Sequence, residues 1–97
     1  MKRTLVVSIL NKHRNELSER YGVKSLALFG SVARDEATSA SDVDLLVDFD
    51  RPVGLFGLFA LQDYLEIILG CHVDLGTPNS LKPHIRERVM TESVYVT

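Results

Sequence analysis

Asp42 and Asp44 flank Val43, and ten residues separate Asp42 from the pair Gly30-Ser31. On a strand, successive side chains alternate between faces, so both carboxylates project to one side while Val43 and Leu45 project to the other. Two adjacent carboxylates need a cation. Magnesium suits them, because it takes oxygen ligands, keeps several waters and is held by one or two carboxylates together with substrate phosphates. A glycine-serine turn just ahead of such a strand offers backbone and hydroxyl donors to phosphate oxygens. Together the two features suit transfer of a nucleotidyl group from a magnesium-bound triphosphate.

The elements that must position these groups follow from the apolar pattern. Leu5, Val6, Ile9, Leu10 and Leu17, with His13 in line, recur at helical spacing and predict one amphipathic helix from Thr4 to about Arg20, ended by Gly22. Val23 to Phe29 is β-compatible, so a first strand delivers Gly30-Ser31 at its C-terminal end. Ser31 is a good N-cap for a helical turn or two over 32–36, before a polar loop from Thr38 to Ser41. Val43 to Phe49 is the second strand, stopped at Arg51-Pro52, and Leu55 to Leu69 is a long helix closed by Gly70. His72 to Leu75 forms a third strand, Ser80 caps a last helix running to about Thr91 with Pro83 in its first turn, and Val94 to Val96 adds a short edge strand. This order predicts an α/β (α+β) fold: a small mixed β-sheet of three to four strands packed with helices. The second strand, apolar on both faces, is central.

A chain of 97 residues has room for one domain, residues 1–97, burying roughly two-thirds of its unfolded surface. A formal net charge of -2 provides no basic field for a polyanion, which disfavours direct nucleic-acid binding. The sole cysteine, Cys71, cannot form an internal disulfide, and no secretory signal pattern is present. The longest apolar stretch, Gly54 to Gly70, is interrupted by Gln62, Asp63 and Glu66 and is too short and polar to span a bilayer. A cytoplasmic protein without membrane contact is the expectation.

Leu28-Phe29-Gly30-Ser31-Val32-Ala33-Arg34, followed by Ser41-Asp42-Val43-Asp44-Leu45-Leu46-Val47, resembles the signature of the DNA polymerase beta-like nucleotidyltransferase superfamily. More narrowly it resembles the minimal nucleotidyltransferases, the MNT antitoxins encoded beside HEPN-domain toxins, over nearly the whole chain. The resemblance implies the nucleotidyltransferase fold, ATP as substrate and Mg2+ as cofactor, two ions being expected. It makes Asp42 and Asp44 catalytic metal ligands and Gly30 and Ser31 nucleotide-binding residues. Such sites usually take a third carboxylate from another strand, and Asp74 is the best candidate, completing a second metal site and helping to deprotonate the attacking hydroxyl. Arg34 has two readings, a phosphate contact or a partner for an acid such as Asp48, with the structural one slightly favoured. Asp48 and Asp50 lie further along the strand and read as surface.

Other metal chemistries fit poorly. His13, His72 and His84 are not spaced as a zinc set. Leu46 occupies a ligand position of a calcium loop, and the lysine of a phosphate-binding P-loop is missing.

The resemblance implies an antitoxin that transfers AMP from Mg-ATP to a hydroxyl, tyrosine foremost, of a cognate HEPN ribonuclease toxin, within a hetero-oligomer. The alternative is an antitoxin with an idle site that inhibits by stoichiometric binding. An antibiotic adenylyltransferase is the weaker third reading, since a short chain has little structure to hold a drug. The helix from Leu55 to Leu69 is apolar almost all round, which leaves burial and docking against a partner evenly balanced.

Overall fold

The computed structural model describes residues 2–33, 42–77 and 94–96. Helices α1 (Arg3–Lys12) and α2 (Arg14–Tyr21) precede strand β1 (Val23–Phe29), the short helix α3 (Gly30–Ala33) and strand β2 (Val43–Phe49). Helix α4 (Leu55–Leu69) and strands β3 (Val73–Gly76) and β4 (Val94–Tyr95) follow. The expected last helix, the loop from Thr38 to Ser41 and Arg34 lie outside the described residues.

The strands form one sheet in the order β3-β2-β1-β4. β1 runs antiparallel to β2 and β4, whereas β2 and β3 are parallel and joined by the α4 crossover. The sheet is mixed and β2 is internal, as its apolar faces predict. β4 is the edge strand read from Val94 to Val96.

One helix was expected where two form. The His13 ring donates from Nδ1 to the Ile9 carbonyl at 2.8 Å, the acceptor that an unbroken helix would offer to the backbone N–H of His13. That N–H turns instead to the Leu10 carbonyl at 3.2 Å, and the chain restarts as α2. Gly22 and Gly70 close α2 and α4 as expected.

The core lies between the helices and one face of the sheet. Val6 and Leu10 of α1, Leu17 of α2 and Leu61, Leu65 and Leu69 of α4 pack with Leu26, Leu28, Val43, Leu45, Val47 and Val73. The strand contributors alternate, which leaves Asp44 on the opposite face. Further along that face Ala27 and Leu46, paired across β1 and β2, are also buried. No helix among the described residues is long and apolar enough to cross a membrane.

Candidate active site

The C-terminal end of β1 meets the N-terminal ends of β2 and β3, so the turn and the acids arrive at one edge of the sheet. Phe29 pairs with Asp44, and Asp44 pairs with Asp74. The Val43 N–H donates to the His72 carbonyl at 3.1 Å, extending the ladder by one residue. Two tripeptides thus lie side by side in register, Asp42-Val43-Asp44 and His72-Val73-Asp74. Both valines are fully buried at 0% exposure, which turns the four polar side chains to the other face.

Gly30 follows with a φ of +74°, a conformation open to glycine and strained for other residues. It has a second constraint: a Cβ here would collide with the Asp44 carboxylate, so the turn and the acid are packed against each other. Ser31 lies within α3. The Arg3 guanidinium donates to the Ala33 carbonyl at 3.0 Å and pins the end of α3 to α1.

The sequence placed Asp42, Asp44 and Asp74 together, and the sheet register brings them to one edge. It also brings in His72. The His72 Nδ1 lies 3.4 Å from Asp42 Oδ2 and 3.8 Å from Asp74 Oδ1. One donor atom from each of Asp42, His72 and Asp74 lies within 4.8 Å of the others, and all three side chains are exposed. An ion bonded at about 2.1 Å holds adjacent donors about 3 Å apart and opposite donors about 4 Å apart, so the exposed side chains must draw together by rotation to close the set around a divalent cation. Two carboxylates and one imidazole are a donor set that suits such a cation.

Polar residues of α4 hold this edge in place. Gln62 Nε2 donates to the Val73 carbonyl at 2.9 Å, and the Val73 N–H donates to Glu66 Oε2 at 2.9 Å. Both backbone groups between His72 and Asp74 are thereby anchored to the helix. Burial pushes the neighbouring Cys71 thiol up, and the Asp42 and Glu66 carboxylates add smaller contributions in the same direction. Asp48 and Asp50 are exposed as read, and Asp50 pairs with Arg51 at 2.7 Å. A separate pocket lined by Arg20, Tyr21, Arg51, Pro52 and Val53 opens at the other end of β1 and β2, far from the carboxylates.

His72 could have been found from the sequence. Asp42-Val43-Asp44-Leu45 and His72-Val73-Asp74-Leu75 share one pattern, and alignment of the two as parallel neighbours places His72 beside Asp42. Nothing in the sequence marks Arg3, whose partner is thirty residues away.

The family model of the nucleotidyltransferase domain matches residues 10–96. A Thermococcus cleftensis relative, protein adenylyltransferase MntA, is 47% identical over 91 residues, covering 94% of this chain and 92% of the relative. A solved structure described as a minimal nucleotidyltransferase shares the fold at a TM-score of 0.76 and 36% identity, covering 97% of this chain and 95% of that one. The MNT antitoxin complex with tri-AMPylated HEPN toxin from Shewanella oneidensis shares it at a TM-score of 0.68 and 20% identity, covering 98% and 71%.

Proposed function

This chain belongs to the nucleotidyltransferase domain family, and from that premise we propose that it transfers AMP from ATP to a hydroxyl, that of a tyrosine, on a cognate HEPN ribonuclease toxin and thereby neutralises it. The observation that carries this reading is the in-register pair Asp42-Val43-Asp44 and His72-Val73-Asp74 with Gly30 packed against Asp44. The names of relatives that share the fold, a protein adenylyltransferase and an antitoxin bound to an AMPylated HEPN toxin, support the same chemistry.

In this reading Gly30, Ser31 and the amides that follow hold the phosphate tail of ATP. Asp42, Asp44 and Asp74 hold Mg2+, two ions in the complete site. When bound, the cation polarises the α-phosphorus and neutralises the departing pyrophosphate. Asp74 accepts the proton of the acceptor hydroxyl. Arg34, beside the turn in sequence, supplies a phosphate contact or an ion pair. The rest is positioning: the two parallel strands fix the acids relative to each other, and Gly30 fixes the turn relative to the acids. Residues 1–97 act as one minimal domain, in the cytoplasm and without contacting nucleic acid.

The partner surface is the outward stripe of α4. Leu61, Leu65 and Leu69 face the core, yet Phe56 and Ile67 are 89% and 78% exposed, with Phe59, Ala60 and the carboxylate of Asp63 exposed between them. Burial and docking were evenly balanced on the sequence; in the fold one side of the helix is buried and the opposite side is left exposed for a partner. An exposed apolar stripe of this kind suits a permanent protein partner, and the HEPN toxin fills that place.

The test is to incubate the protein, magnesium and α-labelled ATP with the HEPN protein encoded beside it, comparing wild type with Asp42→Asn and Asp44→Asn. Label enters the partner, and toxicity falls, only with wild type. Relief of toxicity by both variants without label would establish the stoichiometric binder instead.

A further inference from the structure

The geometry points to His72 as a nitrogen ligand of the cation site, one that biases the site toward manganese-class ions over magnesium. The inference rests on the proposal that these carboxylates hold the reaction's cation. It adds a ligand of different chemistry.

The two ring nitrogens of His72 face different groups. Nδ1 is directed at the carboxylates, 3.4 Å from Asp42 Oδ2 and 3.8 Å from Asp74 Oδ1. Nε2 is directed away from them, 3.8 Å from Glu66 Oε2. That Glu66 oxygen also accepts the Val73 N–H at 2.9 Å, so the carboxylate behind the ring is fixed to the strand that carries His72 and Asp74. In metal-binding histidines one nitrogen faces the ion and the other donates to a carboxylate that sets the tautomer and the ring orientation; at 3.8 Å Glu66 stands a small ring rotation short of that bond. The side chain is 55% exposed and has room to close on an ion.

Ligand chemistry then sets the preference. Carboxylate, carbonyl and water sites suit magnesium and manganese alike, but magnesium demands near-ideal octahedral oxygen ligation and dehydrates reluctantly, whereas manganese, as a first-row transition metal, accepts an imidazole nitrogen more readily. A site of Asp42, Asp74 and His72 Nδ1 therefore has a higher ratio of Mn2+ to Mg2+ affinity than an all-oxygen site. Glu66 is a positioning residue here, acting through the His72 ring.

The experiment uses the whole chain with Mn2+ alone. Electron spin echo envelope modulation of the bound ion reads nitrogen coupling directly, and calorimetric titration reads the ratio of Mn2+ to Mg2+ affinity. Wild type shows 14N modulation. His72→Ala and His72→Gln lose it, with a drop of about tenfold in the affinity ratio. Glu66→Gln keeps the modulation but binds more weakly. Mn2+ bound to wild type without nitrogen modulation, no Mn2+ binding at all, or an affinity ratio unchanged in His72→Ala would each overturn the inference. AMP transfer with Mg2+ in any of those cases leaves the proposed function standing. Nitrogen modulation in a protein that transfers no AMP upholds the histidine ligand and removes the catalytic reading.

Discussion

At Gly30 a single hydrogen in place of a side chain satisfies two demands, a φ of +74° and close packing against the Asp44 carboxylate. The sequence motif suggests only that a triphosphate needs open backbone here. The fold shows that the acid itself needs the space. Gly30→Ala is expected to cost about 1–3 kcal/mol in urea denaturation from the left-handed backbone alone. It should also abolish AMP transfer, because Asp44 must move. Tyr64 is a second residue with a measurable signature. Burial, reinforced by its 2.9 Å hydrogen bond to Glu16, pushes its phenol up to about 12. The folded state therefore favours the neutral phenol. Its stabilising contribution is present below pH 10 and is lost as pH rises through about 12. Tyrosinate absorbance should show a late-titrating component that disappears in Tyr64→Phe, and that variant should lose less stability than wild type between those two pH values.

Helix α4 divides its faces among three tasks, and each can be probed separately. Leu65 is fully buried, so Leu65→Ala is expected to destabilise the domain by about 2–5 kcal/mol in urea denaturation. Gln62 and Glu66 read from the sequence, with Asp63, only as interruptions of a helix that is apolar almost all round. In the fold they grip the two backbone groups of Val73. Glu66→Ala should speed hydrogen exchange at the Val73 amide and cost about 1–2 kcal/mol, while exchange in β1 changes little. Element boundaries were legible wherever a backbone signal marked them, as at Gly22, Gly70 and Arg51-Pro52. The break at His13 was not legible, because it arises from a side chain competing for a helical carbonyl, and histidine is otherwise an acceptable helix residue.

Across the whole molecule, the acid-bearing edge and the outward face of α4 are joined through Val73, since the helix that exposes Phe56 and Ile67 also holds the strand that carries His72 and Asp74. Phe56→Asp and Ile67→Asp should leave stability within about 0.5 kcal/mol of wild type. Both should weaken the complex with the HEPN partner by about tenfold or more in titration calorimetry, as expected for the loss of an apolar anchor at an interface. The resemblance of the segments Leu28 to Arg34 and Ser41 to Val47 to a known signature pointed to the family, and the Asp-x-Asp alternation specified the strand that bears the acids and the side of that strand they occupy. These are local properties, set by a period of two along one strand and by the chemistry of phosphate and cations. Which residues of the next strand stand beside those acids depends on the register of a parallel pair, fixed by burying Val43 and Val73 on the same face across the α4 crossover. The shared pattern of the two strands makes His72 a candidate, but its seat beside Asp42 and the division of α4 between core and solvent were decided only when distant segments met.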